Sequence, residues 1–126
     1  MRVVWSTPAA RRLEELRDVL LATAGEEAAH RVVLAIVLRA ESLRTLPLRG
    51  RRVPERPASD LRELIEQGRY RIVYRVRPDS VQVVTVFDGR GLLPEELAHQ
   101  ATGGLAPGRG YEVRGAVPDA AATGRF

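Results

Sequence analysis

The feature that most constrains this chain is a change of hydrophobic period near its middle. Before residue 47 apolar side chains recur every three or four positions, whereas between residues 61 and 88 they alternate. The first spacing suits one face of a helix and the second one face of a strand. Carried in separate blocks, the two periods specify an α+β domain with one sheet packed on helices.

The helical block opens after a short β-favouring run, Val3-Val4-Trp5, read as a strand over residues 2–6. Thr7-Pro8 then supplies a hydroxyl cap and a proline at the first helical position. Leu13, Leu16, Leu20 and Thr23 form one helical stripe, and Gly25 ends it. Glu26 and Glu27 suit the start of a second helix, whose stripe is Ala29, Val32, Val33, Ile36, Ala40 and Leu43, ending before Pro47. Two helices joined so tightly predict an antiparallel helical hairpin. Within it, His30 reads as a surface or boundary residue.

Residues 47–60, rich in Pro and Arg, read as a loop. Residues 61–66, 69–77 and 81–88 then read as a three-stranded antiparallel meander, turning at Gln67-Gly68 and Pro78-Asp79-Ser80. If Val76 pairs with Val81, strict alternation sets Tyr74 against Val83 and Tyr70 against Phe87. The core face is then Tyr70, Ile72, Tyr74, Val76, Val81, Val83 and Phe87, and the other face carries Arg69, Arg71, Arg75 and Arg77 with Val73, Val84 and Val86. Residues 92–100 suit a short helix. Residues 1–100 form the expected domain, and residues 101–126, dominated by Gly, Ala and Pro, an expected flexible tail. No internal repeat is present.

Several chemistries are excluded or disfavoured. With no Cys there is no disulfide and no thiolate nucleophile, and two His do not build a metal cluster, so neither metal nor cofactor is expected. No apolar run approaches the ~20 residues of a membrane span, and Met1 to Ser6 turns polar too soon for a secretory signal, so a cytoplasmic protein is expected.

The net charge is +4, and all 20 cationic residues are Arg. A coding bias accounts for this in bland terms. Chemically, it leaves no amine for Schiff-base work and many guanidinium forks for carboxylate or phosphate. The charge is uneven: residues 49–57 hold Arg49, Arg51, Arg52 and Arg56 against Glu55, and residues 69–77 hold four Arg and no acid. Arg62 and Arg90 extend this surface. An open arginine-bearing face suits an anionic partner. The alternative is that these groups pair with Glu63, Glu66 and Asp88 and merely solubilise the sheet. If the face is open, Arg71→Ala and Arg90→Ala should leave stability nearly unchanged.

Three segments carry a family likeness: Leu61-Arg62-Glu63-Leu64, Gly68-Arg69-Tyr70-Arg71-Ile72-Val73-Tyr74-Arg75-Val76, and Val81-Gln82-Val83-Val84-Thr85-Val86-Phe87-Asp88-Gly89-Arg90. With the loop from Leu46 to Glu55, and in the order strand, helix pair, meander, residues 2–97 resemble the RelE/ParE toxin superfamily of bacterial toxin–antitoxin systems. The resemblance implies a toxin that arrests growth, neutralised by a cognate antitoxin. In its ribonuclease branch, ribosome-dependent cleavage of mRNA uses cations on the developing phosphorane, and Arg62, Arg71 and Arg90 match those positions. That chemistry also needs a proton acceptor, which Arg does not provide.

The family's nucleases place a Tyr or His shortly after the last strand, where this chain has Gly91 to Glu96, and Leu64 stands at the position of a second basic residue. His99, Tyr111, Glu63 and Glu66 are weak substitutes. The resemblance therefore favours the ParE branch, associated with DNA gyrase, in which Arg71, Arg75 and Arg90 bind rather than catalyse; Arg51, Arg52, Arg69, Arg75 and Arg77 are the candidate target- or antitoxin-binding residues. An mRNA endoribonuclease and a solitary non-catalytic binding module remain as alternatives.

Overall fold

A computed structural model describes residues 1–98; the predicted tail, His99 and Tyr111 lie outside the described residues. Strand β1 (Arg2–Trp5) leads into helix α1 (Thr7–Ala24) and helix α2 (Glu26–Glu41), followed by a 3-10 turn at Ser42–Arg44. Strands β2 (Arg51–Arg52), β3 (Arg62–Glu66), β4 (Tyr70–Val76) and β5 (Ser80–Asp88) follow, then a short helix α3 (Glu95–Ala98).

The helical boundaries have identifiable causes. Ser6, rather than Thr7, caps α1: its hydroxyl accepts from the Ala9 N–H at 3.1 Å, leaving Thr7-Pro8 inside the first turn. Gly25, at φ 96°, alone separates the two helices, and its N–H closes α1 on the Leu20 carbonyl at 3.1 Å. A side chain at that φ would be strained, so glycine makes the tight reversal.

The predicted meander is the middle of a five-stranded sheet ordered β1-β5-β4-β3-β2. β1 joins β5 in parallel, and β2, expected to be loop, pairs with β3 at the opposite edge. Gln67 and Gly68, both at positive φ, make the tight turn between β3 and β4. The inner face packs on the helix pair through Trp5, Leu13, Leu20, Val33, Ile36, Ile72, Tyr74, Val81 and Val83.

Strict alternation fails at one point on β5. Tyr74 faces Val83 as expected, but Val73 faces Thr85, so Val84 has no partner opposite it. This one-residue bulge reverses the parity beyond it. Tyr70 therefore faces Asp88, not Phe87; Val86 joins the inner core, and Phe87 lies on the outer face against Arg71.

A second apolar cluster occupies that outer face: Val53, Leu61, Val73, Val84, Phe87 and Leu97. The loop after β2 and helix α3 cover it. Glu96 anchors α3 by accepting from Arg12 Nε at 2.9 Å and Thr85 Oγ1 at 3.1 Å. No helix among the described residues is long and apolar enough to cross a membrane.

Candidate functional site: the arginine face and the α2 groove

Alternation along β4 projects Arg71, Val73 and Arg75 outward, and Arg77 follows on the same side. Arg71 is the most constrained of these. Its Nε donates to Glu63 Oε1 at 2.7 Å, while Nη1 and Nη2 donate to the two oxygens of Glu55 at 2.9 and 2.6 Å. Its guanidinium carbon lies 5.1 Å from the centre of the Phe87 ring, within cation–π range.

The Glu63 side chain is 0% exposed, and its second oxygen accepts from Arg51 Nε at 2.8 Å. Two guanidinium groups thus satisfy one buried carboxylate, which would otherwise be costly. Donating to Glu55 raises the Arg71 pKa above its ordinary value, and the same contact holds the Glu55 carboxyl below its own.

Arg69 is held similarly, donating to Asp88 Oδ2 at 2.7 Å while lying over the Tyr70 ring. Chiefly through Arg69, the Asp88 pKa is lowered to about 2. Arg90 is exposed; its backbone N–H donates to Asp88 Oδ1 at 2.9 Å, and its Nε is 3.5 Å from the same oxygen. The carboxylate pairing that composition left as the alternative therefore holds for Arg69 and Arg71, and the outer face is not an open guanidinium surface. Glu66 pairs with Arg39 of α2 at 2.6 Å.

The remaining arginines differ. Arg75 Nε lies 3.4 Å from Asp60 Oδ1. Arg77 Nη2 donates to the neutral amide of Gln82 at 3.3 Å. Arg62 does not join Arg71: opposite Tyr74 in the sheet, it shares the helix-side face with Leu64 and Glu66. There its Nη1 donates to the Gly50 carbonyl at 2.8 Å. Sequence reasoning placed Arg62 on the outer face because the β3–β4 register was unknown. Arg52 donates to the Ser59 carbonyl at 2.6 Å and Arg49 to the Ser42 hydroxyl at 2.6 Å. Among the described residues, Arg49, Arg52 and Arg62 form no ion pair.

Close packing holds this cationic edge. The Gly50 N–H donates to the buried Tyr74 hydroxyl at 2.9 Å, and a Cβ at Gly50 would lie 2.6 Å from the Glu63 carbonyl oxygen. Burial raises the Tyr74 pKa.

Beside the edge runs a groove of about 360 Å³, lined by Ala35, Leu38, Arg39, Ser42, Arg49 and Glu66. Leu34 and Leu38, one turn apart on α2, are exposed, as are Leu46 and Leu48. Sequence reasoning missed the groove, although its signal was present. Leu34 and Leu38 fall outside the stripe that buries Val33, Ile36 and Val37.

Residues 3–93 match the family model described as ParE toxin of the type II toxin–antitoxin system parDE. Among solved structures, the chromosomal ParDE TA system from P. aeruginosa has the same fold. The TM-score is 0.59 at 22% identity, covering 70% of this chain and 95% of that one. No curated protein matches. With its helix pair, its sheet and most of its length inside the family match, the chain belongs to the ParE toxin family of type II toxin–antitoxin systems.

Proposed function

We propose that this toxin arrests growth by acting on DNA gyrase and is neutralised by a cognate antitoxin. The observation that carries the choice of target is the separation of the three cations that RNA cleavage would need together. Arg62 lies on the helix-side face, the Arg71 fork is filled by Glu55, and Arg90 sits beyond β5 beside Asp88. The carboxylates nearest Arg71 are themselves bound to guanidinium groups, which disfavours them as proton acceptors.

Neutralisation, in this proposal, uses the α2 groove. An amphipathic antitoxin segment places apolar side chains against Leu34 and Leu38 and carboxylates against Arg49, Arg52 and Arg62. Each desolvated contact of that kind contributes about 1.5–3 kcal/mol, so binding is salt-sensitive without being purely electrostatic. Arg51 and Arg69 are committed to Glu63 and Asp88; in this reading target contact on the outer face falls to Arg77, with Arg75, itself in contact with Asp60, beside it.

The test is induced expression with and without the adjacent reading frame, read in two ways. Gyrase–DNA cleavage complexes should accumulate only when the toxin is expressed alone, and primer extension on mRNA should show no new cuts. Codon-positioned cuts without cleavage complexes would replace this function with ribonuclease action. Failure of every neighbouring frame to relieve arrest would leave a solitary module.

A further inference from the structure

Helix α2 carries a second stripe, on the side opposite its core residues Ala29, Val32, Val33, Ile36, Val37 and Ala40. At about 100° per residue, Glu27, Arg31, Leu34, Leu38 and Glu41 fall within an arc of about 80°. Leu34 and Leu38 are 38% and 59% exposed, and Arg31 is exposed and forms no ion pair among the described residues. Glu41 is half-exposed. Its Oε1 lies 3.6 Å from Arg44 Nε, longer than a hydrogen bond, so the carboxylate retains acceptor sites.

The order of this stripe is self-complementary. About the level of Ile36, Leu34 and Leu38 stand two residues to either side, and Arg31 and Glu41 five residues to either side. A two-fold axis across the helix at that level sets Leu34 of one copy against Leu38 of the other, and Arg31 against Glu41, each contact made twice. Sliding one copy by a turn sets Glu27 against Glu41 in one direction and Leu34 against Ser42 in the other. Charge and apolar contact thus specify one register.

We propose that the free toxin self-associates as a two-fold dimer, packing α2 antiparallel on α2 of a second copy. The leucines form the apolar centre at an ordinary interaxial distance of about 8–10 Å, and the Arg31–Glu41 pairs form the rim. One helix face is a small contact, so association falls in the micromolar range. In the reading above, the antitoxin uses the same leucines, so it and the second copy exclude one another. That consequence rests on the antitoxin reading; the dimer itself does not.

Sedimentation equilibrium of the purified full chain, from about 5 to about 500 µM, should show a monomer–dimer transition. Arg31→Glu and Glu41→Arg should each weaken the dimer about tenfold, because each places like charges together twice. Combined in one chain, the two substitutions exchange the charges and should restore dimerisation to within about threefold of wild type. Leu38→Ser should abolish it. Far-UV circular dichroism and thermal unfolding check that these surface variants keep the fold.

A wild-type chain that stays monomeric throughout would overturn the proposal. So would a dimer that both single charge variants leave intact, or one that the double variant fails to restore. Adding the product of the adjacent reading frame should dissociate the wild-type dimer. A complex that retains the dimer would move the antitoxin away from Leu34 and Leu38 and leave the dimer standing.

Discussion

Along β4 and the residues that flank it the arginines fall into two groups. Toward its start, Arg69 and Arg71 are held by Asp88, Glu55 and Glu63 and lie over aromatic rings. Toward its end, Arg75 has a 3.4 Å contact with a largely exposed Asp60, and Arg77 leans on the neutral Gln82. The same residue type along one strand thus meets two environments. In the first group the guanidinium completes a network of buried and half-buried carboxylates; in the second Arg77 meets only a neutral amide and its Nε has no acceptor. The difference lies in which acids the tertiary fold brings within reach, because β4 itself contributes none.

The sharpest way to break this contrast is at Glu63. Glu63→Ala should destabilise the fold by about 3–5 kcal/mol in urea unfolding, since it empties a fully buried site and takes from Arg71 Nε and Arg51 their shared acceptor. A loss under about 1 kcal/mol would mean that the network is not holding the sheet. Arg71→Ala should cost somewhat less, about 2–3 kcal/mol, because Glu63 retains Arg51 while packing over Phe87 is lost. That result reverses the expectation of nearly unchanged stability, which assumed an open face.

A smaller effect should appear with acid. Asp88 and Glu55 both have folded pKa values below their ordinary ones, so the unfolded chain binds protons first as pH falls. Their contribution is fully present above about pH 5 and fades between about pH 4 and pH 2, amounting to about 1 kcal/mol after solvent screening. Thermal unfolding of wild type and Asp88→Asn across that range checks it; the variant should show a flatter acid limb. Smallest of all, Arg77→Ala should change stability by less than about 0.5 kcal/mol at neutral pH. A loss comparable to that of Arg71→Ala would merge the two groups.

The sequence carried the secondary structure well because each element has a local cause. The helix pair follows from its periodic stripes and Gly25, and the tight β3–β4 turn follows from Gln67-Gly68. Local patterning was insufficient at Val84. One unpaired residue there moved Phe87 outward and Val86 inward, and no alternation rule announces a bulge within a run of valines. The site was legible in kind but not in state. Arg71 was identified, whereas Glu55 lies 16 positions away on a loop with no period of its own.

By itself, then, the sequence determined the α+β class, the order of the elements, the register of the β4–β5 hairpin up to the bulge and the presence of arginines along β4. These depend on residues close together in the chain, whose side-chain period and turn chemistry act locally. Only the tertiary structure decided that β1 and β2 complete the sheet, that Arg62 turns to the helix side, and that Glu55 and Glu63 occupy Arg71 while Arg77 keeps an unmet donor. Ion pairing is set by distance and desolvation, and for side chains far apart in the chain both exist only once the sheet and its covering loop have come together.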